Sequence, residues 1–365
     1  MISAALAIAV TTGIFIALSV LLLIAERYLV NYGSCTISLN SGSTLFDQPG
    51  GTTLLAALYD HKVYVPSACG GKGSCGFCKV AVLSGGGPLL PTELPFVSRA
   101  EQRSGVRLAC QVKVKQDIAI QVPEALLAVK EFRARVAGIR QLTYDIKEIN
   151  LELIEPERIS HHPGQYIQLQ APDPDGGFIH RAYSISSPVY EDTKVQLVVR
   201  LVPGGIASAY VHLLAEGDEV IFTGPYGEFR VSDDPEREIV LVGGGCGMAP
   251  LKNIVYTAES RWPGRRLKLF FGARSTRDIF YLDSYKELMA DHPNLQVVYA
   301  LSDPLAPEEQ WDGQTGFIHI SVDKYLDAGS KRQAFLCGPP PMIDAVMRIL
   351  KDKGMREEDI FYDKF

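Results

Sequence analysis

The chain has 365 residues, a formal net charge of −6 and a sequence pI near 5.7. This length exceeds what one hydrophobic core usually serves, so we expect two or three domains of about 100–150 residues each. The acidic balance argues against a nucleic-acid partner, because proteins that bind the phosphate backbone concentrate Lys and Arg. Three of the seven cysteines fall within ten residues. That uneven spacing indicates metal ligation in a reducing compartment rather than a disulfide framework.

Residues 2–25 contain no charged side chain and are long enough to cross a hydrocarbon core of roughly 30 Å. They predict one transmembrane helix, so residues 1–28 are interpreted as a membrane anchor. A cleaved signal peptide is the alternative, but the segment has no basic region before it and no clear cleavage site. Arg27 favours a cytoplasmic location for the rest of the chain. Because the segment has no ionisable group, it offers no ion relay.

Strand and helix signals then follow in an order that predicts a small α+β domain over residues 33–125. Residues 35–39 predict a strand, residues 53–58 a helix and residues 112–122 a second strand. Residues 125–130 read as a connector to the next domain.

The rest of the chain predicts two further domains. In residues 130–233, strand-like segments and Gly, Pro and Asp turns at short spacing are typical of a small antiparallel β-barrel. In residues 236–365, strands alternate with helices, which predicts an α/β domain with a parallel, doubly wound sheet. The predicted strands are 239–242, 267–271, 296–300 and 333–336, and the predicted helices begin near 249, 281 and 341.

A cysteine cluster carries the strongest chemical signal. Cys69, Cys75 and Cys78 lie on one Gly-rich loop, and Cys110 follows on a distant strand. Four cysteines shared between two irons suit a [2Fe–2S] cluster. Glycines at 70, 71, 73 and 76 permit positive φ and bring backbone N–H groups close to the sulfurs. Structural zinc is the alternative, but it usually takes two closely spaced pairs. Cys35 and Cys246 are interpreted as ordinary small residues.

Two motifs in the predicted barrel suit a flavin. Arg181-Ala-Tyr183-Ser184 ends a predicted strand and supplies a cation for phosphate, an aromatic face for the ring and a hydroxyl for its polar edge. Gly204-Gly205-Ile-Ala-Ser208 opens a helix whose N–H groups could bind a pyrophosphate, although an ordinary turn and helix cap explains it equally well. His161 and His162, before Pro-Gly, predict a solvated turn rather than a metal site.

The α/β domain carries two candidate nicotinamide motifs. A glycine loop lies between a buried strand and a helix, which is the setting of a nucleotide-binding loop, although it lacks the Gly-x-Gly-x-x-Gly pattern. Its glycines are Gly243, Gly244, Gly245 and Gly247. Cys337-Gly338-Pro339-Pro340 follows the last predicted strand, where open α/β sheets hold their ligands. This place favours a site role for Cys337 over a core thiol. The terminal Phe365 is either a frayed end or a ring that stacks on the cofactor.

The order of these motifs resembles the ferredoxin-NADP⁺-reductase superfamily with a fused N-terminal ferredoxin. Several segments are similar to the family of F subunits of Na⁺-translocating NADH:quinone oxidoreductases: Ser67-Ala-Cys69-Gly-Gly, Leu90-Pro-Thr-Glu93, Arg107-Leu-Ala-Cys110-Gln-Val, residues 243–250, Phe271-Gly-Ala-Arg-Ser275, Leu301-Ser-Asp-Pro304 and residues 313–319. The resemblance implies a ferredoxin-like 2Fe-2S domain, FAD held by Arg181, Tyr183, Ser184 and Ser208, and NADH over the glycine loop. It also places Cys337 near the nicotinamide and Phe365 over the flavin. Ser184, Cys337 and Phe365 are the residues assigned to catalysis.

This resemblance implies an enzyme that passes hydride from NADH to FAD and then single electrons to the cluster, to partner membrane subunits and, indirectly, to quinone. It places the chain at the bacterial inner membrane as a single-pass protein with its domains on the cytoplasmic side.

The chain departs from the family by a shorter segment between Gln168 and Arg181, and by Cys246 in place of Ala. Two alternatives stay open: an oxygenase reductase component and a non-catalytic iron–sulfur electron carrier. Arg274 and Arg277 suit a 2′-phosphate as well as a surface role, so NADH over NADPH rests on the resemblance.

Overall fold

The computed structural model describes residues 10–22, 32–227, 229–329 and 331–364. Residues 10–22 form a helix, α1. Within these described ranges no helix is long and apolar enough to cross a membrane. The predicted transmembrane helix is therefore not confirmed, and its residues 2–9 and 23–25 lie outside the described ranges. Phe365, the predicted stacking residue, also lies outside them.

The chain divides between Val129 and Lys130 into two compact units. The first unit contains a five-stranded mixed sheet in the order β2-β1-β5-β3-β4, in which β1 and β5 run parallel and the other pairs antiparallel. Leu54, Ala57 and Leu58 line one face of helix α2 and are buried in the core of this unit. The elements of this unit are β1 Ser34–Leu39, β2 Thr44–Pro49, α2 Leu54–Asp60, β3 Lys79–Ser84, α3 Arg99–Arg103, β4 Val106–Leu108, β5 Ile118–Gln121 and α4 Glu124–Leu127.

The predicted strand 112–122 is only half correct. Its second half is β5, but the alternating Val112 and Val114 lie before the strand and are buried. Their backbone pairs with the loop ahead of α2: the Leu54 N–H donates to the Val112 carbonyl at 2.7 Å, and the Val114 N–H donates to the Thr52 carbonyl at 2.9 Å. An alternating pattern reports burial on one face, but it does not say which backbone the segment pairs with.

The second unit begins with an antiparallel sheet of six strands in the order β10-β7-β6-β11-β8-β9. An antiparallel bridge between Ile185 and Leu197 joins the two ends of this order, so the sheet curls into a barrel around its own core. The barrel-like prediction is confirmed. Its elements are β6 Lys130–Gln141, β7 Ile146–Glu155, β8 Tyr166–Pro172, β9 Phe178–Ser184, β10 Lys194–Arg200, α5 Ile206–Leu213 and β11 Glu219–Tyr226.

A parallel six-stranded sheet in the order β15-β14-β13-β12-β16-β17 completes the second unit and confirms the predicted α/β arrangement. Helices α6 and α7 pack on one face and α8 and α9 on the other, because alternate residues of the buried strands face opposite sides. Its elements are β12 Glu238–Gly243, α6 Met248–Arg261, β13 Leu267–Ala273, α7 Leu282–Asp291, β14 Leu295–Leu301, β15 Gln314–Thr315, α8 Ile318–Tyr325, β16 Arg332–Gly338, α9 Pro340–Asp352 and β17 Ile360–Lys364.

Polar contacts join the barrel to helix α6. The Asn253 side-chain amide lies 3.2 Å from Nε2 of His161 and donates to the Ile185 carbonyl at 3.2 Å. Lys252 Nζ lies 3.2 Å from an oxygen of the buried Glu148. The predicted solvated turn is therefore wrong for His161, which is buried against α6, while His162 is exposed.

Candidate cofactor sites

The loop that carries three of the cysteines depends on left-handed glycines. Gly70, Gly71, Gly73 and Gly76 have φ of 63°, 84°, 74° and 73°, values that side chains with a Cβ rarely adopt. The Gly71 N–H donates to the Ser67 hydroxyl at 2.9 Å, which holds the start of the loop. The positive φ values expected from the sequence are therefore present.

The four cysteines lie as two pairs. Cys75 Sγ is 3.4 Å from Cys69 Sγ, and the thiols of Cys78 and Cys110 are hydrogen-bonded to each other. Burial alone would raise the pKa of Cys69, but hydrogen bonds from Ser74 and Cys75 outweigh it and lower the pKa to about 7. The bond with Cys78 lowers the pKa of Cys110 to about 6, and the same bond raises the pKa of Cys78. Burial raises the pKa of Cys75.

These pairs fit the donor set of a [2Fe–2S] cluster, in which four thiolates are shared between two irons. One thiol of each pair has a lowered pKa, which favours the thiolate form that binds iron. Among the described residues, no three His, Cys, Asp or Glu side chains converge to hold one metal ion. Cys35 is buried in the core of the first unit and packs as a small apolar residue.

A buried ion pair supports the loop region. Glu93 is fully buried, and Arg107 donates to its carboxylate at 2.6 Å. The Arg107 guanidinium also donates to the carbonyls of Gly86, Gly87 and Pro88 at 2.9–3.0 Å. Burial would raise the pKa of Glu93, but the bonds from Arg107 and from two backbone N–H groups outweigh it and lower the pKa. The pair therefore ties the segment from Gly86 to Glu93 to β4, two residues before Cys110.

In the barrel, the proposed flavin residues end strand β9. Arg181, Tyr183 and Ser184 are half-buried, and Arg181 donates to the His180 carbonyl at 2.8 Å. Burial raises the pKa of Tyr183 to about 12, and the nearby Cys246 of the glycine loop adds to that rise. The structure therefore brings the end of β9 close to the glycine loop.

Ser208 is engaged within its own turn. Its hydroxyl accepts from the Val202 N–H at 3.1 Å and donates to the Gly205 carbonyl at 3.2 Å. A methyl group on Gly205 would lie 2.7 Å from this oxygen. Ser208 thus shapes the start of α5, and Gly205 is required for that close approach.

The glycine loop follows β12 and leads into α6 through a short 3₁₀ turn, as its sequence context predicts. Gly244 is extended, and a methyl group there would lie 2.5 Å from the Gly272 carbonyl of β13. At Gly245, a methyl group would meet the Arg200 guanidinium at 2.4 Å. Arg200, at the end of β10, also pairs with Asp145 at 3.2 Å. The barrel therefore places a cation directly against the loop.

Cys337 is fully buried at the end of β16. Burial, together with the nearby Asp363 carboxylate, raises its pKa well above the usual value, so the thiol stays neutral. Asp363 lies on β17 opposite Cys337, and burial raises its pKa as well. A role for Cys337 at the nicotinamide would be that of a neutral thiol.

The structure thus brings Tyr183 and Cys337 close to the glycine loop that contains Cys246, although the three are far apart in sequence. Sequence reasoning missed three charged residues at this site: Arg200, Asp145 and Asp363. Arg200 offered a signal, since it is a cation near the end of the strand-like segment 195–202 and four residues before Gly204. Asp363 offered none, because β17 was not predicted.

Comparison with known families agrees with the three-part organisation. The 2Fe-2S iron-sulfur cluster binding domain matches residues 33–115, the oxidoreductase FAD-binding domain residues 133–231 and the oxidoreductase NAD-binding domain residues 241–348. Among solved structures, the Amycolatopsis cytochrome P450 reductase GcoB has a TM-score of 0.71 and 31% identity, over 91% of this chain and 98% of that one. The ferredoxin reductase of carbazole 1,9a-dioxygenase has a TM-score of 0.69 and 27% identity, over 91% and 98%.

The fold and these sites define an iron–sulfur flavoprotein oxidoreductase with a nicotinamide-binding domain. The proteins named as the F subunit of the Na⁺-translocating NADH-quinone reductase in Neisseria gonorrhoeae and in Histophilus somni are 38% identical to this chain, each over 99% of this chain and 98% of the relative. The Yersinia enterocolitica protein of the same name is 37% identical over the same shares. The chain belongs to the family of Na⁺-translocating NADH-quinone reductase F subunits.

Proposed function

We propose that this chain is the NADH-oxidising subunit through which electrons enter a Na⁺-translocating NADH-quinone reductase. The main support is that three segments converge within one compact unit: the glycine loop, the end of β9 and the paired ends of β12 and β16. That convergence supports a site where a nicotinamide donor and a flavin meet.

In this proposal FAD is held by Arg181, Tyr183 and Ser184 of β9 and by the Gly205–Ser208 turn. NADH lies over the glycine loop, with Gly338 and Pro339 beside it, and Phe365 covers the flavin. When bound, these groups supply hydride transfer followed by single-electron release to the iron–sulfur cluster.

The chain's own residues bind the cofactors and exclude water from the site. The Arg200 guanidinium lies directly against Gly245 of the glycine loop and offers a positive charge there. Its ion pair with Asp145 limits the guanidinium to a few orientations. Asp363, whose pKa is raised by burial, can keep a proton on its carboxyl oxygen beside Cys337 at higher pH than an exposed Asp. The neutral Cys337 is fully buried in the apolar core at the end of β16.

The cluster is proposed to bind Cys69, Cys75, Cys78 and Cys110. Electrons leave from there to partner subunits and reach quinone indirectly. We propose that the apolar N-terminal segment, of which α1 is the described part, anchors the chain at the bacterial inner membrane with its domains on the cytoplasmic side. The absence of charge in residues 2–25 supports this anchor.

A second candidate function is that of a reductase that serves a separate oxygenase. Its support is the likeness to GcoB at 31% identity over 98% of that chain. The two functions differ in where the electrons go, because both need the same flavin, cluster and nicotinamide residues.

The test is an anaerobic absorbance titration of the purified protein with NADH and, in parallel, with NADPH. We expect bound flavin and iron–sulfur absorption that bleach with NADH at lower concentration than with NADPH. Delivery of those electrons to quinone in membranes that contain the partner subunits, and not to a soluble oxygenase, supports the role in the quinone reductase complex. Protein that binds flavin and cluster but does not bleach with NADH is a non-catalytic carrier, which contradicts the proposal.

A further inference from the structure

Gln111, the residue after Cys110, presents its side-chain amide to that cysteine. The amide Nε2 donates to Cys110 Sγ at 3.6 Å, while its Oε1 accepts from the Thr92 hydroxyl at 2.9 Å. The two bonds use opposite ends of one amide. Because Thr92 donates to the oxygen, the N–H end is left to point at the sulfur.

This orientation is supported from two further sides. A methyl group on Gly73, in the cysteine loop, would lie 2.6 Å from the Gln111 amide nitrogen, so the loop backbone packs directly against the amide. Thr92 lies in a turn that the buried Glu93 closes, since the Leu90 N–H donates to the Glu93 carboxylate at 2.9 Å. Glu93 is 0% exposed and is paired with Arg107 at 2.6 Å, so the turn has a rigid support.

We propose that Gln111 is a positioning residue that raises the reduction potential of the iron–sulfur cluster through Cys110, with Thr92 fixing the direction of its amide. The inference rests on the proposed function, because it requires Cys110 to be a cluster ligand. Reduction adds one electron, and the thiolate sulfurs take part of the added negative charge. An N–H donor at a sulfur stabilises the reduced form more than the oxidised form, which makes the cluster a better acceptor from the flavin.

The test replaces the donor while keeping side-chain length. Gln111→Met removes the N–H group, and Thr92→Val leaves the amide in place but removes the bond that orients it. Gln121→Met is the matched control, because Gln121 is an exposed glutamine at the end of β5 in the same unit. The intact proteins are titrated at equilibrium, with the electron paramagnetic resonance signal of the reduced cluster followed against potential.

We expect the Gln111→Met cluster to be harder to reduce by about tenfold in equilibrium constant, a shift of about 59 mV to lower potential for a one-electron couple. Thr92→Val should shift the potential in the same direction by a smaller amount, and Gln121→Met should leave it unchanged. The flavin potential should stay the same in all three proteins, which a general loosening of the fold would not produce.

An unchanged cluster potential in Gln111→Met overturns the inference. If the Gln111→Met protein does not assemble a cluster, the Thr92→Val protein provides the test. An unchanged cluster potential in Thr92→Val then overturns the inference. Failure of the proposed function looks different: the unaltered protein then shows no reducible cluster signal, or loses none of it when Cys110 is replaced by Ser.

Discussion

Gly243 and Cys337 lie directly opposite each other on the parallel strands β12 and β16, and a methyl group on Gly243 would lie 3.3 Å from the Cys337 carbonyl oxygen. Two motifs almost a hundred residues apart therefore end at the same edge of the sheet. Ligands of open α/β sheets bind at this edge, so the residues of the glycine loop control how closely a cofactor can approach.

Gly244→Ala should impair NADH use while leaving the flavin bound. The added methyl group would lie 2.5 Å from the Gly272 backbone carbonyl, so the loop must move away from β13. A misplacement of about 1 Å can cost about 100-fold in rate, and we expect a loss of that order in the rate of flavin reduction by NADH. Stopped-flow absorbance measures it. Gly138→Ala is the control, since its methyl group finds its nearest neighbour at 3.7 Å, an ordinary contact. Equal rates in both proteins would show that the loop does not position NADH.

Replacing each cysteine by Ser should separate the seven into two groups. Loss of Cys69, Cys75, Cys78 or Cys110 should abolish the cluster signal, because each removes one thiolate of the two pairs. Cys35→Ser, Cys246→Ser and Cys337→Ser should keep it. Iron content and electron paramagnetic resonance of the purified proteins measure the outcome, and a normal cluster in Cys75→Ser would contradict the ligand assignment.

Deletion of Phe365 should change nicotinamide binding more than flavin retention. Aromatic stacking is worth on the order of 1 kcal/mol, which is large enough to appear in the apparent affinity for NADH. The neighbouring Lys364 is paired with Asp344 at 2.7 Å and holds the end of β17 in place, so the deletion should leave that strand intact. Flavin content and steady-state kinetics with NADH and NADPH provide the measurement. If neither changes, the terminal ring has no role at the site.

The second unit should lose stability as the pH falls from about 6.5 to about 4. Burial lowers the pKa of His161 from its usual 6.5 to about 4, so in this range the unfolded chain binds a proton that the folded chain does not. By pH 4 this difference in proton binding lowers the free energy of unfolding by about 3 kcal/mol. Urea unfolding at several pH values should show a smaller pH dependence for His161→Gln. The exposed neighbour His162 supplies the control, His162→Gln, which should keep most of the pH dependence because the charge of His162 makes only the smallest contribution to the lowered pKa of His161. Identical slopes for both variants would exclude His161 as the source.

Residues 1–28 should be dispensable for hydride transfer but required for delivery to the membrane acceptor. Every proposed cofactor residue lies at or beyond Cys69, while residues 2–25 have no redox or ionisable side chain. A protein that begins near Gly33 should hold flavin and cluster and reduce an artificial one-electron acceptor at a rate close to that of the full chain. With membranes that contain the partner subunits it should lose most quinone reduction, because a tethered donor has a high effective concentration. Full quinone reduction by the short protein at low concentration would favour the soluble-reductase function.

Local patterns in the sequence were sufficient for much of this protein. The spacing of Cys69, Cys75 and Cys78, with glycines between them, predicted a metal-binding loop because the candidate ligands and their backbone freedom are encoded in ten consecutive residues. The strand, glycine loop and helix from Glu238 to Arg261 were equally evident, since a buried apolar run followed by glycines is a local signal. The barrel and the parallel sheet followed from the order of such signals.

The tertiary structure alone decided which distant groups meet. Arg200 reaches Gly245, Asp363 lies opposite Cys337, and Val112 pairs with the loop before α2 instead of continuing a strand. The burial of His161 against Asn253, 92 positions away, also has no local signal. These contacts depend on strand order, register and the packing of α6 on the barrel, and they join residues far apart along the chain. Periodicity and motif spacing report only neighbours in sequence, so the charges and pKa shifts of the site became visible only when the chain was folded.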